Sequence, residues 1–541
     1  MKRILIIGNS PLPEENTKSR PAAGLRTWQF LKPLTPENGT VVLDGHEEFS
    51  AGGRDAIGRH GTIAAGNAVG KHATVPATAD RAFSAVKRQG FIVKFVSVAM
   101  PECYEEEVLY KETALSEKYA EILISKDDPK ILQTLQKVCD EFSPDAVIGV
   151  NTYPSFLASK LRFSAPFWAD LNGWVMAEAQ AQAYKMDSND YLDHYYNMER
   201  SIVSRADKIS VVSRPQEFAL YGELAAFGRM GKDSFGYKFV EHIPNGTEWF
   251  EGERGLPEKL PSGLQEVFGR IPKDAFFMLW MGGYNTWVDE ITLFKGVCEA
   301  MQKCEKLYFV STGGEISGLD NKTFAKFKEL IEKSEFRNRF VFLGWVDTAD
   351  IPYIYDRAHL GLNVDRKCAE TFFGARNRLN EMMKFGLPIV TTLGSEIARE
   401  CTEYGAGLGV RSGNYEELAS AISTIYREWY NGGRDSARLR EYGLRGLEYT
   451  EKFCNYLTVC EPILKWLENP RPAPDRGGIS GGGRGFGGET GIIFKILGGT
   501  CSVFGLLKKF LRISRSGVRY LKQNGIKKFS KKAWQKFLGK F

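Results

Sequence analysis

The chain has 541 residues, 43% of them hydrophobic and 26% charged, a composition that supplies at least two sizeable globular cores. Nine cysteines without a C-x-x-C pair argue against a disulfide framework, and six histidines outside metal-ligand spacing argue against a zinc centre or a catalytic metal. The formal net charge of +6 is uneven: thirteen Lys and Arg and no acidic residue lie between Gly491 and Phe541, leaving 59 basic against 66 acidic residues, a net of −7, in the body.

The N-terminus, Met-Lys-Arg-Ile-Leu-Ile-Ile-Gly-Asn, carries an apolar run too short for a signal peptide and suited to a first buried strand, so cytosolic exposure is expected. Further short apolar runs at Ile92–Val98, Ala146–Val150, Phe167–Ala169 and Ile209–Val212 read as parallel strands separated by helical patterns. A second set follows at Phe276–Trp280, Leu307–Ser311, Phe340–Leu343, Leu360–Asn363 and Ile389–Thr391. The break near Pro244–Pro261 divides the two sets. Residues 37–80, rich in Gly and Ala, read as a long surface insertion, and helical residues Leu447–Leu467 close the body. The expected organisation is therefore an α/β protein with an N-terminal unit over 1–248, a second over 249–446 and a returning helix over 447–468.

Ligands of parallel sheets gather at the carboxyl ends of strands. Gly24 and Arg26 follow the first strand and are candidates for a donor phosphate, or else an ordinary helix start. Asp170 ends another strand and is the candidate acid beside an acceptor hydroxyl, the competing reading being a loop-capping aspartate. Gly282-Gly283-Tyr284-Asn285 leaves the strand Phe276–Trp280, where two glycines permit close backbone approach to a phosphate or sugar, or merely a tight turn.

The most informative stretch is Glu370-Thr371-Phe-Phe-Gly-Ala-Arg376-Asn377-Arg378-Leu-Asn-Glu381-Met-Met-Lys-Phe-Gly-Leu-Pro-Ile-Val-Thr-Thr392. Leu379, Met382, Met383 and Phe385 have helical spacing and Gly386 with Pro388 ends the helix. Arg376 and Arg378 then fall at its first turn, where unpaired N–H groups and the helix dipole already favour an anion. Forked guanidiniums match the oxygens of a diphosphate, and Glu381 is the residue type that accepts a ribose hydroxyl. Glu370, Thr371 and Asn377 complete the expected donor pocket, with Arg376 and Asp170 in the catalytic roles.

Asn380-Glu-Met-Met-Lys-Phe-Gly-Leu-Pro-Ile-Val, Ile243-Pro-Asn-Gly-Thr-Glu248, Ala206-Asp-Lys-Ile-Ser-Val-Val-Ser213 and Phe342-Leu-Gly-Trp-Val346 occur in an order that resembles glycosyltransferase family 4, and the likeness covers most of residues 200–410. The resemblance implies two facing Rossmann-like domains, the glycosyltransferase-B architecture. It also implies sugar transfer from a nucleotide-diphosphate donor with retention of anomeric configuration and no cofactor or essential metal. Two positions depart from the family pattern: Phe373 stands where a first glutamate is usual, and Gly282-Gly-Tyr-Asn-Thr-Trp287 replaces its arginine–lysine phosphate clamp, so Arg376 and Arg378 are expected to take over. A same-fold nucleotide-sugar epimerase and a non-catalytic nucleotide-sugar-binding scaffold are the alternatives.

Asn469 to Gly491, with three prolines and nine glycines, reads as a flexible linker. In 492–541, Leu507, Phe510, Leu511, Val518 and Leu521 share one helical face among basic residues, which suits an anionic membrane surface better than a nucleic-acid arm. A transmembrane span is not expected. The sequence therefore anticipates a peripheral enzyme on the inner face of the cell membrane, acting in polysaccharide biosynthesis on a lipid-linked or glycan acceptor, with no nucleic-acid partner.

Overall fold

The computed structural model describes residues 1–13, 15, 17, 22–35, 90–248, 262–316, 320–347 and 350–478. The insertion expected over 37–80 and the cationic segment 492–541 lie outside the described residues. Met1–Pro474 is one compact unit.

Two sheets organise that unit. The first contains β1 (Lys2–Ser10), β2 (Phe91–Ala99), β3 (Lys111–Ser116), β4 (Tyr119–Ser125), β5 (Ala146–Gly149), β6 (Phe167–Leu171), β7 (Lys208–Val211) and β8 (Val240–His242). Their order is β3-β4-β2-β1-β5-β6-β7-β8, and all pairings are parallel except the edge hairpin of β3 with β4. The second sheet contains β9 (Phe276–Trp280), β10 (Leu307–Thr312), β11 (Phe340–Gly344), β12 (Leu360–Asn363), β13 (Ile389–Thr392) and β14 (Gly407–Val410), ordered β11-β10-β9-β12-β13-β14 and parallel throughout.

The strand sequences explain this layering. In β1, Leu5 and Ile7 join one core cluster while Ile4 and Ile6 join another on the opposite face. In β9, Phe276, Met278 and Trp280 face one way and Phe277 and Leu279 the other. Strands that are apolar at successive positions need helices on both faces, and parallel pairing supplies them through crossover connections. Both sheets reverse direction of growth once, between β1 and β5 and between β9 and β12. Such reversals open crevices at the carboxyl ends of the flanking strands.

After the second sheet, the helix Ala437–Cys454 breaks at Asn455, and short helices Tyr456–Val459 and Glu461–Glu468 return to the first sheet. Val459, Ile463 and Leu467 share a core with Ile4, Ile6 and Trp168, and Lys2 Nζ donates to the Leu467 carbonyl. The expected linker is docked at its start: Ala473 is buried in the first core and its N–H donates to Asp207 Oδ1 at 2.8 Å. Loose chain therefore cannot begin at Asn469. Proline-rich composition marks the absence of helix there, not the absence of contacts.

Candidate functional site

The crevice of the second sheet is built by the loops that leave β9, β10, β11 and β12. Gly282, Gly313 and Gly344, which follow or end three of those strands, all have positive φ. At Gly313 a Cβ would lie 2.5 Å from the Gly282 carbonyl carbon, so only glycine lets the two loops cross this closely. Gly282 N–H donates to Thr312 Oγ1, and Gly313 N–H to the Gly344 carbonyl. Gly283 then sits between Ile316 and Trp345, an indole half exposed at the rim.

Arg378, in the helix Asn377–Lys384, reaches into this crevice. One of its amino groups, Nη2, donates to the Gly283 carbonyl at 2.9 Å, and the guanidinium lies 4.1 Å from the Trp280 ring centroid. Its Nη1 is buried and has no hydrogen-bond partner. Burial, together with Arg376, pulls the Arg378 pKa down to about 10, which leaves it charged at neutral pH. A buried cationic donor without an acceptor, at a helix N-terminus and beside a glycine loop, is a place for an anion.

Arg376 has a different fate. Its Nε donates to Asp365 Oδ2 at 2.6 Å and its two amino groups grip both oxygens of Glu370, all of it buried. Two carboxylates share one guanidinium. Burial pushes Glu370 up to about 7 against the pull of Arg376. The expectation that Arg376 and Glu370 address the donor directly is corrected: each fills the other's hydrogen bonds and locks the loop that leads into the helix. Thr371 is likewise buried, with its hydroxyl 3.3 Å from Cys368 Sγ.

Four further expectations are corrected by packing. Arg26 has a fully buried side chain that grips both oxygens of Asp170 and also donates to Gln29, Asn245 and the carbonyls of Ile243 and Pro244. Ser210 donates a third hydrogen bond to Asp170. This pair ties β6 to the strand exit at 243–245, and neither residue faces a ligand. Gly24 lies inside the helix Ala22–Leu31, where a Cβ would stand 1.9 Å from the Pro11 carbonyl oxygen; the glycine serves close packing, not phosphate approach. Tyr284 is core, stacked on Trp280 with its hydroxyl 2.7 Å from Ser311 Oγ.

The remaining expected residues are half-buried. Asn285 is half-buried and its Oδ1 accepts the Thr286 N–H, which holds its own loop. Asn377 is half-buried at the first turn of its helix. Glu381 is half-buried one turn further on, and among the described residues its carboxyl accepts no hydrogen bond. Burial raises its pKa, Lys384 opposes that rise, and Glu248 adds to it.

The first sheet closes over this crevice through polar struts. Ser213 Oγ donates to the Phe373 carbonyl at 2.6 Å, Arg214 N–H to Glu396, and Asn380 Nδ2 to the Asn245 carbonyl. Glu290 accepts from Lys185 and from Arg366. Trp174 packs edge-on against Phe373, with centroids 4.8 Å apart. Phe373 thus fills an apolar contact at the position where a glutamate is usual in the resembled family. Glu178 lies in the first turn of the helix Val175–Met186 that follows β6.

Residues 275–428 match the family model described as Glycosyl transferases group 1. Sucrose-phosphate synthase from Thermosynechococcus elongatus is similar in fold, with a TM-score of 0.56 and 14% identity over 86% of this chain and 98% of that one. HepE of Anabaena, solved with UDP-glucose, gives a TM-score of 0.53 at 14% identity over 86% of this chain and 100% of the other. An α,α-trehalose-phosphate synthase from Burkholderia xenovorans, solved with glucose-6-phosphate, gives 0.55 at 8% identity over 87% and 100%. No curated protein matches the chain in sequence. The architecture is glycosyltransferase-B, two parallel-sheet domains joined at a crevice.

Proposed function

We propose that the protein is a glycosyltransferase that moves a sugar from a nucleoside-diphosphate donor to a hydroxyl acceptor. The observation that carries this reading is the unpartnered, buried Nη1 of Arg378, at the start of the helix Asn377–Lys384 and beside Gly283. A diphosphate supplies both the charge and the acceptor oxygens that this group lacks. Its release as the leaving group then puts developing negative charge against a fixed cation. Glu381 accepts the ribose hydroxyls, and the half-exposed Trp345 offers a face for the base. A solved neighbour of the same fold, HepE of Anabaena, was determined with UDP-glucose, which supports a sugar nucleotide as the donor class.

The finer features are proposed on other grounds. Retention of anomeric configuration rests on the ordered motif series. Transfer is proposed to run without a resident cofactor or metal, with Arg378 meeting the leaving charge. The acceptor is proposed to be a lipid-linked or glycan hydroxyl at the cytoplasmic face of the membrane, because 492–541 places thirteen basic residues among spaced apolar ones without any acid. Among the described residues no helix is long and apolar enough to cross a membrane. Incubation of the full chain with UDP-, GDP-, ADP- and dTDP-sugars tests the reading. Release of a nucleoside diphosphate supports it, and the anomeric configuration of the product, read by NMR, decides retention.

A further inference from the structure

We propose that the cavity between the helix Val175–Met186 and Ala369 is a saccharide subsite, which holds a sugar ring of the acceptor. The inference rests on the glycosyl-transfer reading above and names what that acceptor carries: a sugar, whether or not a lipid follows it.

The sequence after β6 builds the cavity. Trp174 precedes the first residue of the helix Val175–Met186. The helix stops at Asp187, which takes a left-handed φ of +56° and donates its N–H to the Ala183 carbonyl. Glycine is usual at such a stop, so an aspartate there is held against its backbone preference. The turn brings Asp187, Ser188 and Asn189 back towards the last turn of the helix, and the next helix starts at Leu192. With Trp174, Gln180 and Tyr184 they line a cavity of about 680 Å³, within the ordinary range of ligand sites.

The lining matches the two-sided chemistry of a sugar, an apolar C–H face with a rim of hydroxyls. Tyr184 is 76% exposed and Trp174 is half-buried, so aromatic surface is open to the C–H face. Gln180, Asp187 and Asn189 are exposed, and among the described residues their side chains make no hydrogen bond. Amides donate and accept at once and a carboxylate accepts at both oxygens, which suits neighbouring hydroxyls. An acyl chain would leave all three groups unpaired. An anion would meet Asp187, with no cation among the described lining residues.

Both sheets hold the cavity in place. Lys185, next to Tyr184, pairs with Glu290 at the start of the helix after β9, and Lys322 Nζ donates to the Lys185 carbonyl. Trp174 donates its indole N–H to Glu223 at 2.8 Å and packs against Phe373. Ala369 starts the helix Ala369–Phe373, which carries Glu370 and leads into Arg376 and Arg378. The cavity therefore adjoins the segment that precedes the donor site, and its walls are set before a ligand arrives.

The test is binding of the full chain to an array of immobilised glucose, mannose, galactose and N-acetylglucosamine oligosaccharides. Calorimetry follows with the free trisaccharide of the best-bound series, with that trisaccharide on a lipid diphosphate, and separately with UDP, GDP, ADP and dTDP. The wild type should bind at least one series. Tyr184→Ala should weaken that binding by about 5- to 30-fold and Asn189→Ala by about 2- to 12-fold. Tyr184→Phe, which keeps the ring, should stay within about threefold of wild type. Both positions are exposed, so the variants should fold and keep their nucleoside diphosphate affinity. The losses should be equal on the free and the lipid-linked trisaccharide. A loss confined to the lipid-linked form gives the cavity to the lipid and overturns the proposal. So does glycan binding that Tyr184→Ala and Asn189→Ala retain, or a wild type that binds nucleoside diphosphate and no glycan. Absence of nucleoside diphosphate binding in the wild type overturns the transferase reading itself and is visible separately in the calorimetry.

Discussion

Replacing Arg378 with alanine isolates the interaction on which the donor site depends. The side chain gives one hydrogen bond to the Gly283 carbonyl and leaves Nη1 unpartnered in a buried position. A diphosphate oxygen at Nη1 would form a charge-assisted hydrogen bond, worth about 1.5–3 kcal/mol. Losing one such bond weakens binding by about 10- to 150-fold. No ion pair breaks in Arg378→Ala, because among the described residues no carboxylate bonds to this guanidinium, so the variant should remain folded. Isothermal titration calorimetry of the matching nucleoside diphosphate gives the affinity, and circular dichroism controls for folding. An unchanged affinity in a folded variant would refute the assignment of Arg378 to the diphosphate.

Arg376→Ala should act on stability first, because it strands Asp365 and Glu370 in the interior; a buried pair broken on one side costs about 3–5 kcal/mol, which urea denaturation would show. Asp170→Asn should likewise destabilise by leaving the Arg26 guanidinium half-paired, and in the folded fraction the acceptor KM should not move. Glu178 has a folded pKa above its ordinary 4.5, so the fold binds its proton more tightly than the unfolded chain does, and stability falls as pH rises from about 4.5 to about 8. Glu178→Gln should flatten that part of the stability–pH curve, and denaturant midpoints across the range would show it. Removing 492–541 should abolish flotation with anionic vesicles at low salt and leave activity on a soluble acceptor, whereas a truncated body that floats as well as the full chain would dissociate the tail from membrane attachment.

Ten strands were readable in the sequence because short apolar runs mark them, most plainly Ile4–Ile7 and Phe276–Trp280, which are apolar at successive positions and covered on both faces. Four strands escaped notice: β3 is mostly exposed, β4 buries only Ile122 and Ile124, β8 spans three residues and β14 reads Gly-Leu-Gly-Val. At the site, spacing placed Arg376 and Arg378 together but could not divide their labour. That division depends on Asp365 and Glu370, whose approach to Arg376 is set by a non-helical turn at Gly374 and Ala375. Arg26 and Asp170 were legible as charged residues at strand ends. Their mutual pairing, across 144 positions of sequence, was not.

The most direct measurement is release of nucleoside diphosphate from a panel of UDP-, GDP-, ADP- and dTDP-sugars by the purified full chain, with Arg378→Ala run in parallel. The account predicts release from at least one donor, with the rate at subsaturating donor reduced by about 10- to 150-fold in the variant. No release from any donor, together with no binding of any nucleoside diphosphate, would contradict it.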